Sequence, residues 1–141
     1  MATPGGLELT KLIKSMSPTL HSDTFVFATI ANDAATKQHT KLLEQAEMLF
    51  KETEGQTVIV TQAVADELDI DFIFPCKKIT LNVHSSLDAV GFLAAVTGRL
   101  AERVSIGVNP VSGYYHDHLF VPLGKEDLVV EELKAMAAEQ Q

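Results

Sequence analysis

The spacing of hydrophobic positions changes period several times along the chain, and each change marks an element. Leu7, Leu9, Leu12, Ile13 and Met16 recur at mostly helical spacing and stop at Ser17-Pro18, which predicts a short N-terminal helix. The β-branched and aromatic run Thr24-Phe25-Val26-Phe27-Ala28-Thr29-Ile30 predicts a strand. Residues 31–47 start polar, then place His39, Leu42, Leu43 and Ala46 at i, i+3, i+4 and i+7, so they read as a surface insertion holding one or two helical turns. Two short strands are expected at 48–51 and 56–61, joined by the loop Glu52-Thr53-Glu54-Gly55, with a short helix over 64–68.

From residue 72 the pattern sharpens. Phe72-Ile73-Phe74 lead through Pro75 into residues 78–83, whose alternation predicts a strand with one buried face. Ser85-Ser86-Leu87-Asp88 has the form of a capping box, and Leu87, Val90, Leu93, Ala94, Leu100 and Ala101 supply a core stripe to about Arg103. Residues 104–112 predict a strand; because Pro110 cannot donate to a ladder, it belongs at an edge or a bulge. Leu119-Phe120-Val121 is its partner, and residues 124–138, with Val129, Leu133 and Met136 on one face, form a closing helix.

Residues 77–138 thus read as strand, helix, strand, strand, helix. That is most of a ferredoxin-like split βαβ unit, an α+β fold with helices on one face of an antiparallel sheet. The first half reads as helix, strand, strand, strand, helix, an incomplete version of the same idea. The predicted organisation is an N-terminal module at 1–73, carrying the polar insertion at 31–47, and a second module at 74–141.

Composition narrows the function. A chain of 141 residues fits one domain or two very small ones, and folding buries about two-thirds of its surface. A net charge of -8, with Lys and Arg scattered, argues against nucleic acid as a partner. The start MATPGGLELT lacks the features of a signal peptide, and no apolar run approaches the length of a membrane span, so a cytoplasmic protein without membrane partners is expected. Cys76 is the only cysteine and has no CxxC partner, which favours a buried apolar side chain over a reactive thiol.

The run Ile79-Thr80-Leu81-Asn82-Val83-His84-Ser85-Ser86-Leu87-Asp88-Ala89-Val90-Gly91 resembles the first strand and loop of an ACT domain, with Val90-Gly91 where that family often has Pro-Gly. Helix residues 93–102, the strand containing Asn109 and the segment GYYHDHLFVP resemble more closely the small tandem-ACT proteins of unassigned function. The resemblance is close in the second half and loose in the first. It implies two tandem ACT-like βαββα modules, and an amino acid bound at the loop between first strand and first helix, often between modules. It also implies that a missing fourth strand comes from the N-terminal module or a neighbouring subunit. Two departures stand out: a connection at 103–107 that is one residue longer, and the insertion at 31–47.

The residues His84, Ser85, Ser86, Leu87, Asp88, Val90 and Gly91, with Asn109, are therefore the candidate ligand-binding set. A helix N-terminus offers unpaired amides and partial positive charge for a carboxylate. Gly91 permits close backbone approach, and Asp88 can take an ammonium. Together they suit an α-amino acid. The plainer alternative is that Ser85 and Asp88 cap the helix for stability alone and Gly91 serves packing.

In GYYHDHLFVP, His116 and His118 share a face of an extended segment while Asp117 points away. Two imidazoles at that spacing can hold a metal, but no third ligand is marked and no nucleophile motif accompanies them. A polar hairpin turn is the favoured reading, with Tyr114 and Tyr115 on alternate faces, one packed and one exposed. Glu126 and Asp127 complement the dipole of the final helix, and Glu131 and Glu132 are expected on a solvated face, with Lys134 nearby. No cofactor is expected. Three functions are open: a non-enzymatic sensor of an amino acid or similar metabolite working as a homo-oligomer, a ligand-free structural or adaptor protein, and a metal-assisted hydrolase using His116 and His118.

Overall fold

The computed structural model describes residues 4–33 and 37–140 of the chain. In chain order its elements are α1 (Pro4–Ser15), β1 (Thr19–Ile30), α2 (Lys37–Glu44), β2 (Met48–Lys51), β3 (Gln56–Thr61), α3 (Gln62–Glu67), β4 (Ile73–Thr80), α4 (Phe92–Arg103), β5 (Asn109–Ser112), β6 (Asp117–Pro122) and α5 (Glu126–Ala138). The strands form a six-stranded sheet in the order β2-β3-β1-β4-β6-β5. Two units divide the chain: Asp23–Cys76, and Met1–Ser22 together with Lys77–Gln141. The division is nested rather than end to end. The chain leaves the second-named unit within β1 and returns to it within β4, so a linear boundary near residue 73 falls inside a strand.

The unit Asp23–Cys76 runs β1, α2, β2, β3, α3, β4, which is a full βαββαβ sequence. β1 pairs antiparallel with β3, from Phe25↔Thr61 to Ile30↔Gln56, and β2 pairs antiparallel with β3. Alternation along β1 and β3 buries Val26, Ala28, Ile30, Val58 and Val60 against Leu42 and Ala65 of the two helices. Residues 31–47 are therefore no surface insertion: they contain α2, the helix that closes this core through Leu42. Only one apolar position of α2 is fully buried, and Leu43 beside it is exposed, which is why the segment reads as polar. Positions 34–36 of that segment lie outside the described residues. Thr61 caps α3, its hydroxyl accepting from Val64 N–H at 3.3 Å.

The unit of Met1–Ser22 and Lys77–Gln141 orders its strand segments β1-β4-β6-β5. This is the ferredoxin-like order with the outer strand, the start of β1, coming first in the chain instead of last. The fourth strand sought in the C-terminal sequence thus comes from the N-terminal segment. Its core joins Ile13 of α1 and Met16 just after it, Ile79 and Leu81, Phe92, Val96 and Leu100 of α4, Leu119 and Val121 of β6, and Val129, Leu133 and Met136 of α5. The α5 stripe is the one its periodicity predicts. The side chain of Leu7, from the α1 stripe, lies outside the described residues.

Three local expectations change. The strand expected at 78–83 ends at Thr80, because Asn82 adopts φ 49 and turns the chain, its side-chain amide donating to Ser17 O at 2.8 Å. Helix α4 begins at Phe92, not at the Ser85–Asp88 motif; Leu87 and Val90 are 71 % and 87 % exposed, and the buried stripe is Phe92, Val96 and Leu100. The strand over 104–112 shortens to β5, which lies at the sheet edge where Pro110 is tolerated. No described helix is long and apolar enough to cross a membrane.

Glu132 is not on a solvated face. Arg99 of α4 is half-buried and donates from Nε to Glu132 Oε1 at 2.5 Å and from Nη2 to Glu139 Oε2, joining α4 to α5. The Glu139 bond first, and the Glu132 bond second, hold the guanidinium pKa above its usual value, and the Arg99 bond holds the Glu139 carboxyl below its own. A carboxyl so lowered contributes stability above the ordinary carboxylate range and loses it as pH falls through its folded value. Arg99→Ala is expected to lower the melting temperature by about 2–4 °C at neutral pH. In circular dichroism melts the gap between the two proteins should narrow near pH 3.

Candidate functional site

The connection from β4 to α4 leaves the core residue by residue. Leu81 and Val83 are buried, and then His84, Ser86, Leu87, Asp88 and Val90 are exposed. Short bonds shape the turn: Ser85 N–H donates to Val83 O at 3.1 Å, Ala89 N–H to Ser86 O at 3.0 Å, and Ser86 Oγ to Asp88 Oδ1 at 2.6 Å. Gly91 then takes φ 91, a left-handed backbone that costs a side-chain-bearing residue about 1–2 kcal/mol. It directs the chain into α4, where the ladder begins with Ala95 N–H to Gly91 O at 2.9 Å. Gly91 offers no side-chain cap, so the amides of Phe92, Leu93 and Ala94 have no partner inside the helix. The capping box is thus absent: Ser86 is bonded to Asp88, and Ser85 donates to Asp117 Oδ2 at 3.2 Å.

Asp117 reaches this place through the β5–β6 hairpin. Ser112 lies opposite Asp117, and Gly113 N–H donates to His116 O at 2.9 Å across the turn. A Cβ on Gly113 would stand 3.1 Å from that carbonyl, so the turn favours glycine. Asp117 shares its strand face with Leu119 and Val121 and is only 7 % exposed. Its backbone carbonyl accepts from Leu81 N–H at 3.0 Å.

These pieces enclose a recess of about 120 Å³ lined by Ser85, Ser86, Leu87, Ala89 and Gly91 of the connection, Phe92, Leu93 and Ala94 of the first turn of α4, Ser112 and Asp117. Among the described residues its only charged lining side chain is Asp117. Chemically it presents helix-entrance amides to an anion and a buried carboxylate to a cation. Of the expected set, Ser85, Ser86, Leu87 and Gly91 meet here. Asp88 and Val90 instead border a depression of about 250 Å³ with Glu8, Leu9 and Leu12 of α1, which Ser86 also touches. His84 is exposed and lines neither, nor does Asn109, an exposed residue of β5 opposite Phe120. Ser112 and Asp117 escape the sequence reading. The parity of Asp117 with Leu119 and Val121 is the signal that identifies its inward face.

His116-Asp117-His118 is a hairpin turn running into β6. His118 Nδ1 is 2.9 Å from Thr80 Oγ1, which is 2.8 Å from His21 Nε2, so a buried hydroxyl links two histidines that are remote in sequence. His116 Nδ1 is buried and has no hydrogen-bond partner among the described residues. Among the described residues, no group of three or more His, Cys, Asp or Glu side chains is placed to hold a metal. Tyr114 and Tyr115 are both exposed, their rings edge to face at 4.9 Å; the turn, not an extended strand, sets their directions. Cys76 is buried with Sγ donating to Phe25 O at 3.3 Å, and burial pushes its thiol up to about 12, which leaves it protonated at neutral pH.

A family model described as ACT domain matches residues 4–77, just over half of the chain. It falls on the first half, whereas the motif resemblance is densest at 79–91. Among solved structures, the chain is similar to a Vibrio cholerae protein of unknown function described as a possible transport protein, at 34% identity and TM-score 0.81, covering 94% of this chain and 98% of that one. It is also similar in fold to Escherichia coli aspartokinase III in complex with aspartate and ADP, at 11% identity and TM-score 0.61, covering 85% of this chain and 33% of that one. The regulatory subunit of aspartate kinase from Thermus thermophilus matches at 9% identity and TM-score 0.60, covering 86% and 99%. No curated protein matches.

The hydroxyl of Thr80 can be tested directly. Thr80→Val keeps shape but removes the buried hydroxyl that bonds both imidazoles, and is expected to lower the unfolding free energy by about 1–3 kcal/mol in urea titrations.

Proposed function

The chain belongs to the ACT domain family, and from that premise we propose that it is a non-enzymatic regulatory protein that binds an amino acid or a similar small metabolite in the recess beside α4. One arrangement carries the reading: an uncapped helix entrance and a buried carboxylate open onto the same small space. The ligand carboxylate rests on the amides of Phe92, Leu93 and Ala94, and its ammonium pairs with Asp117. A zwitterion satisfies both walls at once. The serines of the loop are engaged in bonds to Asp117 and Asp88, which fits positioning rather than nucleophilic work. The fold likeness to a regulatory subunit of aspartate kinase, and to an aspartokinase complexed with aspartate, supports regulation by a small ligand.

In this role the protein works as a dimer or higher oligomer, and the ligand favours one arrangement of modules by its differential affinity for it. Thermal melts against the twenty amino acids test the binding step. A ligand at about a hundredfold over its dissociation constant adds about 2.7 kcal/mol, a readable rise in melting temperature. Asp117→Asn, which removes the charge but little of the shape, should abolish that rise while the unliganded protein still melts cooperatively. If no amino acid at millimolar concentration raises the melting temperature, the ligand-free adaptor role replaces this one.

A further inference from the structure

The unit Asp23–Cys76 carries a second and larger concavity, about 470 Å³, on β1 and the approach to β4. Its floor is apolar: Phe27 and Ala28 of β1 with Phe72 and Ile73, the last 72 % exposed. Phe27 is held by an edge-to-face contact with Phe74 at 5.7 Å between ring centroids. Thr29 and Thr57 add hydroxyls, and the charged lining residues are Glu52 and Asp71, both negative.

The Glu52 wall is fixed in advance. Its carboxylate accepts from the Thr57 hydroxyl, and its N–H donates to Gly55 O at 3.0 Å. Asn32 Nδ2 donates to Thr53 O at 3.1 Å in the same loop. A Cβ on Gly55 would stand 2.8 Å from Thr29 Oγ1 and 2.9 Å from Ile30 O, so the loop sits tightly on the end of β1. A groove with an apolar floor, an acidic wall and, among the described residues, no basic lining side chain selects its occupant by charge.

We propose that this groove is a binding site for a small molecule carrying a cationic amine on an apolar body. The body covers Phe27, Phe72 and Ile73, removing exposed apolar surface from water, and the amine lies between Glu52 and Asp71. A second copy of the chain suits the groove less, since with a net charge of -8 it brings more negative charge to an acidic rim.

The test titrates the full-length protein with n-hexylamine, 1-hexanol and hexanoate at low salt, following backbone amides by heteronuclear NMR. Hexylamine is expected to shift the amides of Ala28, Thr29, Thr57 and Ile73 and to bind about three- to fivefold tighter than hexanol, with hexanoate weakest. In Asp71→Asn combined with Glu52→Gln the amine preference should vanish while hexanol binding persists, which also shows that the variant is folded. High salt should shrink the preference in the native protein. Equal binding of amine and alcohol overturns the proposal, as does the absence of shifts at these residues at tens of millimolar amine. Equally fatal is a dimer, seen by sedimentation, that Ile73→Lys dissociates and whose presence blocks the amine.

Discussion

Asp117 fastens the β5–β6 hairpin to the β4–α4 connection twice, once through its backbone carbonyl and once through its carboxylate. The carbonyl takes the N–H of Leu81 just after β4 ends; the carboxylate takes the hydroxyl of Ser85 where the chain has already left the core. Between those two bonds Asn82 turns the backbone, and beyond them Gly91 turns it again into α4. A carboxylate buried to this degree is costly unless it is well bonded, and among the described residues Ser85 is the one side chain that donates to it. Its carboxylate lines a recess that is also lined by the first turn of α4, whose leading amides have no partner inside the helix. Structure and proposed chemistry therefore meet at one side chain.

How much of this is legible in sequence depends on whether a residue's role is decided by its neighbours along the chain. The stripe Val129, Leu133 and Met136 and the edge position of Pro110 follow from spacing and from the missing proton of proline. The Ser85–Asp88 motif misleads because serine and aspartate satisfy each other and the hairpin instead of helix amides; a glycine with φ 91 starts the helix, and nothing in a capping pattern announces that. Leu87 and Val90 fit a helical stripe by count yet sit on a turn in solvent.

The nesting of the two units is hidden for another reason. Both units use the same strand order, but the outer strand of one lies at the start of the chain, so a linear reading sees one module as incomplete and the other as lacking a strand. The helical turns of α2 follow from the spacing of Leu42 and its neighbours, but the helix's place against the core does not, because a single leucine carries its packing. His21, Thr80 and His118 are brought together by the adjacency of β1, β4 and β6, which no local pattern encodes. The loop from β4 to α4 is the converse case: its polar residues stand out in the sequence, and Asp117, to which Ser85 donates, is brought to it by topology.

The account's central claim is that the entrance of α4 and Asp117 form one zwitterion site. The most direct measurement is a backbone-amide NMR titration with whichever amino acid stabilises the protein. The amides of Phe92, Leu93 and Ala94 should move together with that of Asp117, along one binding curve, and in Asp117→Asn they should stay still. Amides of α4 that remain fixed while others respond at saturating ligand would contradict it.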